Sequence, residues 1–342
     1  MINRTKVKKT WNYILQTAIV IVAYGFLYYQ VFYKKDIPDV EMLLSNYSGA
    51  WIYSAFFIVF IMMFLNWSIE AIKWRFLIKK EEEISFFTSL KAVFAGVTVS
   101  IFTPNRVGEY FGRVFILKKT HPWKGIFITI IGSFSQLLVT MLIGTISFWI
   151  FSKKYLTNLT TTSEYLLNAM IITSIALVIF MFLFYFNVKI VEPIANRLLN
   201  SRWKKTAKYI KIFSAFKTSE LLKVFLLSLS RYVVFTLQYI ILLRAFQVPV
   251  SIIDAVMLIT LLLFIMTAIP TISLAEIGIR GSVIISIFSI FFNNSSVFIS
   301  EHELTLVTTT LFIWIINLVL PAIIGSIFVF QLKFFKKNNS TK

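Results

Sequence analysis

The sequence contains no cysteine, and charged residues make up only 14% of it. Without cysteine there are neither disulfide bonds nor thiolate nucleophiles. The charged share is far below the ~25% that is typical of soluble domains. No polar stretch is long enough for a soluble catalytic domain. These scarcities exclude an ordinary soluble enzyme and much of the chemistry that such enzymes use.

Apolar residues are what the chain has instead, at 58% of 342 positions. About 20 consecutive apolar residues form a helix that crosses the bilayer core. Such stretches occupy most of the chain, so we predict an all-α, polytopic membrane protein. We expect one integral membrane domain over residues 1–342, with no cofactor and no enzymatic activity.

Six apolar stretches are predicted to cross the membrane completely, and their even number places both termini on one side. They lie at about 13–33, 49–69, 125–151, 165–187, 221–246 and 304–331. The first follows a basic N-terminus, as a secretory signal does, but its apolar run is longer than a signal's ~7–15 residues. We therefore interpret it as a retained span.

Lysine and arginine gather at the N-terminus, at 70–80, at 188–220 and at the C-terminus. Because basic loops tend to stay in the cytoplasm, we expect a protein of the cell inner membrane with both termini cytoplasmic. The two histidines, His121 and His302, then fall in loops on opposite sides, which argues against a metal site.

The net charge of +19 could indicate nucleic-acid binding, but the basic residues lie at the ends of apolar runs. That placement is better explained by anionic lipid headgroups at the cytoplasmic face, so we expect no nucleic acid as partner. Apolar residues at helical spacing within 188–220 predict an amphipathic segment along this membrane surface. A solvated basic loop is the equally simple alternative.

Two further apolar segments, 86–117 and 254–291, must each enter and leave on one face, or the basic loops would change sides. Two arms of about 15 residues reach only ~22 Å, less than the ~30 Å core, so 86–117 is predicted to be a re-entrant hairpin. The longer 254–291 is a second hairpin or two short spans. The resulting inverted repeat, 49–151 and 221–331, is a recurrent plan of transporters.

Each predicted hairpin carries a charged motif: TPNRVGEYFGR at 103–113 and IPTISLAEIGIR at 269–280. Charges at bilayer depth cost several kcal/mol, so they persist mainly where they face a cavity, a partner or a substrate. The motifs contain Glu and Arg four residues apart, which places both on one helix face. These residues are Glu109 with Arg113, and Glu276 with Arg280.

Prolines precede both pairs and favour breaks in the helix, which frees backbone polar groups. Pro104 and Pro270 are therefore predicted hinges. Gly108 and Gly112 form a GxxxG pattern that lets another helix approach closely. A broken helix beside ionised side chains makes a polar pocket plausible.

Arg106 adds positive charge to the first motif, because its nearest acid in sequence, Glu109, would be shared with Arg113. Guanidinium groups bind phosphate oxygens bidentately, so a phosphate headgroup would suit this surplus. The glutamates could hold the arginines, receive an amine of the headgroup or exchange protons. The simpler alternative is that each glutamate only neutralises its own arginine and locks the hairpin.

A third charged cluster, NWSIEAIKWRFL at 66–77, ends the second span. Trp and basic residues are common anchors at the membrane interface, and we interpret Lys73, Trp74 and Arg75 in that way. Glu70 is the member that anchoring explains least.

The motif TPNRVGEYFGRVFIL resembles the signature of the lysylphosphatidylglycerol synthase transmembrane region, a flippase-like membrane family. KWRFL and PTISLAEIGIRGS are similar to its accompanying elements, although Ala275, Glu276 and Gly281 depart from the usual pattern. The resemblance extends from about 10 to 332. The resemblance adds Gly278 to the predicted hinges and assigns headgroup binding to one set of residues. The set is Arg106, Glu109, Arg113, Glu276 and Arg280.

The family resemblance implies a domain that moves a phospholipid or a polyprenyl-phosphate-linked lipid between leaflets. Larger relatives carry a soluble aminoacyl-transferase domain, whereas this sequence ends in KKNNSTK, so we expect no lysine transfer by this polypeptide alone. One alternative is a non-transporting membrane partner of a glycosyltransferase or lipid-modifying enzyme. Another is an intramembrane transferase with Glu109 or Glu276 as base, which no nucleophile at suitable spacing supports.

Overall fold

The structure is a computed structural model, and it describes residues 4–32, 50–156, 161–190, 193–194, 211–270, 273–292 and 296–332. Every regular element in these ranges is helical, which confirms the predicted all-α class. Most of the predicted amphipathic segment 188–220 and the C-terminal lysines lie outside the described residues.

Eleven α-helices and four short helical turns are described, and two of the turns matter for the site. The first half contains α1 (Arg4–Phe32), α2 (Ala50–Ile78), α3 (Phe86–Ser100), α4 (Gly108–Val114), α5 (Pro122–Tyr155) and α6 (Thr161–Phe186). The second contains α7 (Thr218–Ala245), α8 (Ile252–Ala268), α9 (Ser273–Phe291), α10 (Ser296–Trp314) and α11 (Leu320–Val329). A 3-10 turn at Pro104–Arg106 joins α3 to α4, and a π-helical turn at Ile315–Val319 joins α10 to α11.

Five helices are long and apolar enough to cross a membrane, and they coincide with five of the six predicted spans. They are Trp51–Ile78, Pro122–Tyr155, Ser163–Phe186, Thr218–Ala245 and His302–Val329. The apolar part described in α1 is shorter, Thr10–Val22, so the sixth span stays a prediction. The placement of His302 in a loop was wrong, because this residue lies within α10.

The first predicted hairpin folds back on itself, but its arms are unequal. Helix α3 has 15 residues, whereas α4 has only seven. Between them Asn105 and Arg106 have φ angles of 49° and 57°, a left-handed conformation that turns the chain sharply. At ~1.5 Å per residue neither arm reaches across a ~30 Å core.

Glycines let the two arms of this hairpin pack at backbone distance. A Cβ atom on Gly112 would lie 2.5 Å from the Cα of Gly96, and one on Gly108 would lie 2.3 Å from the carbonyl oxygen of Val99. Only residues without side chains fit at such separations. The GxxxG pattern therefore serves contact within the hairpin, since its partner is α3.

The second segment has longer arms, with 17 residues in α8 and 19 in α9. Those lengths correspond to ~26 and ~29 Å, so each arm nearly matches the core thickness. The chain is extended at Ile269, just before Pro270, which ends α8. By arm length, the second segment therefore resembles two short spans, whereas the first segment is a short hairpin.

The first arms of both segments pack against a long span from the other half of the chain. Helix α3 contacts α11, where the Thr98 hydroxyl donates to the Ala322 carbonyl at 2.7 Å and Gly325 permits the close approach. Helix α8 contacts α5, where Gly144 accommodates Phe264. Helices α2 and α7 pack side by side.

The π-helical turn interrupts the long span formed by α10 and α11. Pro321 lacks the N–H that would bond to the Asn317 carbonyl, and its ring clashes with that group. The helix instead takes in one extra residue per turn here, and the Leu320 N–H donates to the Ile315 carbonyl, five residues earlier. π-Helical turns occur frequently at functional sites, and this one contains Asn317.

Candidate functional site in the helix bundle

Glu70 is the centre of a largely buried ionic cluster that joins the two halves of the chain. Its carboxylate lies 2.7 Å from the Lys73 ammonium, 2.8 Å from the Arg113 guanidinium and 3.0 Å from that of Arg231. The Glu70 side chain is only 4% exposed. Three cations around one carboxylate compensate the cost of burying the acid, and they depend on it in turn.

The interpretation of this region as an interface anchor was wrong for two of its residues. Lys73 is 1% exposed and its ammonium also lies 3.3 Å from the Ser228 hydroxyl. Trp74 is equally buried, and its indole N–H donates to Thr129 at 3.0 Å. Tertiary packing of α2 between α5 and α7 buries them, and the sequence pattern of α2 alone does not show that packing.

The predicted pair on α4 forms an ion pair, and Arg113 has a second acid. Arg113 lies between Glu109, four residues earlier, and Glu70 on α2. It is 3% exposed. The first hairpin is therefore tied to the preceding span through a charged hydrogen bond at 2.8 Å.

The predicted pair on α9 has the same arrangement in the second half. Arg280 forms an ion pair with Glu276 and donates to the Tyr239 hydroxyl on α7 at 2.8 Å. In both halves an arginine is thus held by the glutamate four residues before it and by a side chain from the span that precedes the hairpin. That side chain is an acid, Glu70, in the first half and a phenol in the second.

Arg106 joins the two hairpins. One of its terminal nitrogens lies 3.1 Å from each carboxylate oxygen of Glu276. The expectation that Arg106 shares Glu109 with Arg113 was wrong, because the left-handed backbone at Asn105 and Arg106 carries the side chain to the other hairpin. The positive surplus predicted for the first hairpin is thus shared between both.

A cavity of about 300 Å³ lies where these elements meet. Its ionised lining residues, from most to least exposed side chain, are Arg106 (38%), Arg231 (20%), Arg280 (9%) and Glu276 (8%). Arg106 is therefore nearest the surface. Among the described residues of the lining, three cations face one carboxylate.

The cavity lies near half-height of the helices that surround it. Asn66, Gln136, Arg231 and Asn317 all line it, and each falls close to the middle of a helix that is long enough to span. These positions belong to the spans Trp51–Ile78, Pro122–Tyr155, Thr218–Ala245 and His302–Val329. Substrate sites of many transporters lie at this depth.

Amides and an aromatic ring fix the position of Arg231. Its Nε donates to Asn66 at 2.9 Å, and Asn66 donates to Asn317 in the π-helical turn at 3.1 Å. The guanidinium carbon lies 4.8 Å from the ring centre of Trp67, a cation–π contact. A third helix thereby contributes to the position of a cation on α7.

The structure divides the predicted binding residues into two groups. Arg106, Glu276 and Arg280 line the cavity, whereas Glu109 and Arg113 are not among its lining residues. The predicted hinges are placed as follows: Pro104 begins the 3-10 turn, Gly108 and Gly112 are buried in the hairpin, Pro270 precedes α9, and Gly278 is half-buried in α9.

Sequence reasoning missed Arg231, the cation at the centre of the site. It is the only charged residue in the apolar stretch 224–243, so the rule that drew attention to the two motifs also applies to it. Tyr239 and Asn317 gave no comparable signal, because uncharged polar residues are common in membrane helices.

The fold and the site define a multi-pass membrane protein with a charged cavity between its spans. Residues 13–325 match the family described as the lysylphosphatidylglycerol synthase TM region. The chain belongs to that family, as the motif resemblance predicted. No curated protein and no solved structure matched the chain.

Proposed function

We propose that the protein is a lipid translocase of the cell inner membrane, one that binds an anionic lipid headgroup in this cavity. The lipid is a phospholipid or a polyprenyl-phosphate-linked lipid, and its acyl chains remain in the bilayer. The observation that carries the proposal is a 300 Å³ cavity at half-height, lined by three arginines and one glutamate.

The depth of the cavity supports transport over binding at the membrane surface. A charged headgroup that crosses an unassisted bilayer loses its hydration in the core, at a cost of several kcal/mol or more. Fixed guanidinium groups at that depth replace the lost hydration with charge-assisted hydrogen bonds. The free-energy barrier to headgroup crossing falls most when the guanidinium groups replace the lost hydration at the middle of the bilayer.

The exchanged packing of the hairpins supports the inverted repeat on which alternating exposure would depend. Helix α3 packs on α11 of the second half, and α8 packs on α5 of the first. The arginines of the two halves also have equivalent partners, with Glu70 in place of Tyr239. We propose that the two halves exchange conformations during transport, as inverted-repeat transporters do.

The Arg106–Glu276 ion pair is suited to couple binding to movement, because it joins the two hairpins at the outer part of the cavity. An anionic headgroup would compete with Glu276 for Arg106. Loss of the ion pair would release one hairpin from the other. Departure of the headgroup would let the Arg106–Glu276 ion pair form again. A ligand shifts such an equilibrium only by its differential affinity for the two states.

We propose that anionic lipids contact the basic cytoplasmic face, that both termini are cytoplasmic and that the chain acts without covalent chemistry. The matched family is a transmembrane region, in keeping with a role in the membrane. A membrane enzyme remains a proposed partner, and nucleic acid is not one.

Transport is tested in vesicles that contain the purified full chain and fluorescent phospholipids or polyprenyl phosphates, with accessibility to dithionite reduction as the measurement. We expect protein-dependent movement of an anionic lipid. The variant Arg231→Gln should slow it by at least about tenfold, since a lost charge-assisted hydrogen bond is worth ~1.5–3 kcal/mol. Glu70 retains Lys73 and Arg113 in this variant, so the fold should persist.

The matched control is Lys79→Gln, which removes a cation whose side chain is 68% exposed and does not line the cavity. It should leave the rate unchanged. Equal rates for Arg231→Gln and the unmodified chain would reject the cavity as the transport site. No movement of any lipid, together with a stably copurifying membrane enzyme, would favour the non-transporting partner instead.

A further inference from the structure

We infer that the cavity selects a phosphate headgroup that carries two negative charges and no free amine. This inference rests on the proposed function, because it names the class of headgroup that the translocase would accept. It depends on four properties of the cavity: charge, the state of its carboxylate, its hydrogen-bonding groups and its size.

The charge surplus is two by either of two counts. Among the described lining residues, three arginines face Glu276. The larger ionic network adds Lys73 and Arg113 as cations and Glu70 and Glu109 as acids, and the surplus of two is unchanged. A ligand with two negative charges would neutralise the network, whereas a zwitterionic headgroup would leave the surplus in place.

The carboxylate of the cavity is already occupied. Both oxygens of Glu276 bind Arg106 at 3.1 Å, and one of them also pairs with Arg280. Among the described lining residues it is the only acid. An ammonium group placed here would meet arginines and would have to displace one of them, so an amine headgroup would be disfavoured by like-charge repulsion.

Three uncharged lining residues carry buried donors without a partner within the described ranges. The indole N–H groups of Trp67 and Trp314 and the hydroxyl of Tyr232 are buried and have no hydrogen-bond partner in the described part of the chain. The Nε–H of Arg280 has none either. Among the described lining residues, Gln136 has an unpartnered acceptor oxygen, and the Tyr232 hydroxyl can accept as well as donate. Phosphate oxygens are acceptors, and an ammonium offers only donors.

The volume of the cavity limits the size of the headgroup that can enter it. A cavity of about 300 Å³ is at the lower end of the range for small-molecule sites, ~300–1,000 Å³. It accommodates a phosphate with a small polar substituent and excludes the acyl chains. The tail would leave past Arg106, the most exposed of the ionised lining residues.

Binding to the purified full chain in detergent tests the inference with short-chain lipids that share identical acyl groups. The probes are a phosphatidic acid, a phosphatidylglycerol and a phosphatidylethanolamine, measured by titration calorimetry. We expect the phosphatidic acid to bind about tenfold more tightly than the glycerol lipid and the ethanolamine lipid to bind weakest. The second proton of phosphatidic acid leaves near pH ~6, so the affinity of the protein for this lipid should rise between pH 5.5 and 7.5.

Variants at two positions connect the preference to the cavity. Arg231→Gln should lower the affinity for phosphatidic acid about tenfold, Arg231→Lys should retain most of it, and Lys79→Gln should not change it. Arg106→Gln is the second removal, chosen because Arg106 is partly exposed and its loss leaves Glu276 paired with Arg280. Unfolding temperatures of all variants identify any that fold poorly.

Equal affinities for the three probes, or a preference for the ethanolamine lipid, would overturn the inference. Glycerol 3-phosphate that binds as tightly as phosphatidic acid would show a soluble ester as the ligand and overturn the lipid assignment. The vesicle assay separates the two proposals. If the probes bind as expected but no lipid moves in vesicles, only the translocase proposal is refuted. If amine lipids move as fast as anionic lipids, only the proposed selectivity is refuted.

Discussion

At the scale of single residues, the interior of this protein is organised around carboxylates that each hold more than one cation. Glu70 contacts Lys73, Arg113 and Arg231, and Glu276 contacts Arg106 and Arg280. A buried cation that loses its acid is left uncompensated in a medium of low dielectric constant, at a cost of several kcal/mol. The acids should therefore be more critical for folding than any one cation.

Replacement of Glu70 by glutamine should destabilise the protein by about 3–5 kcal/mol, because three cations, two of them buried, lose their shared acid. Thermal unfolding in detergent measures the effect. The control Glu83→Gln breaks a pair with Lys79 that is more than two-thirds exposed, and should cost less than about 1 kcal/mol. The double variant Glu70→Gln, Lys73→Met should recover part of the loss; no recovery would argue against charge as the cause.

Outside the spans, Glu82 holds the loop that follows the first hairpin. It accepts hydrogen bonds from the backbone N–H groups of Lys118, Lys119 and Thr120 at 3.0, 2.8 and 2.9 Å. Partial burial raises the pKa of the Glu82 carboxyl, but these donors favour the ionised form more strongly, so the pKa is below its ordinary value of 4.5.

A depressed pKa in the folded state means that Glu82 stabilises the fold above the unfolded-state pKa and loses that contribution as the pH falls through the folded-state pKa. Glu82→Gln should therefore lower the unfolding temperature at pH 7, by an amount equivalent to about 1 kcal/mol, because water screens these partly exposed hydrogen bonds. The difference from the unmodified chain should stay constant down to pH ~5 and shrink below pH ~4.5. A constant difference down to pH 3 would contradict the assignment, and Glu83→Gln serves as the comparison.

At the scale of helices, glycines determine how closely the first hairpin closes. The α4 arm contacts α3 at backbone distance, and that contact holds Glu109 and Arg113 against α2. Without the close approach, the Arg113–Glu70 hydrogen bond at 2.8 Å could not form. Small residues of the hairpin therefore position the charged residues of the cluster.

Gly112→Ala should destabilise the protein by about 1–3 kcal/mol, because the new Cβ would lie 2.5 Å from backbone that cannot move aside. In an exposed helix the same change would stabilise by about 0.5–1 kcal/mol. Gly281→Ala is the matched control, since its nearest neighbours would be side-chain atoms at 3.6 Å. It should be neutral or stabilising, and an equally neutral Gly112→Ala would refute tight closure of the hairpin.

At the scale of the whole molecule, the proposed topology puts the loop between α2 and α3 in the cytoplasm and the loop between α7 and α8 outside. Because the chain has no cysteine, a single introduced cysteine is labelled without background. Lys79→Cys and Lys118→Cys should react with an impermeant maleimide only after the cells are opened. Pro249→Cys should react in intact cells. Labelling of all three from one side would refute the inverted arrangement.

Much of this architecture follows from local sequence properties. Five long apolar helices appear where apolar runs of about 20 residues predict them, and the first hairpin breaks at the proline of its motif. Both Glu–Arg pairs form because a spacing of four places them on one helix face. The family likewise follows from the motif around Arg106.

The sequence by itself determined a helical membrane protein, its family and two charged motifs, because hydropathy and helical periodicity are local properties. Only the tertiary structure decided which cations share which acids: that Arg106 crosses to Glu276, that Arg113 pairs with Glu70 outside the cavity lining, and that Arg231 both lines the cavity and contacts Glu70. Ionic contacts between distant helices depend on packing and on backbone turns such as the left-handed one at Asn105, and neither is encoded in spacing along the chain.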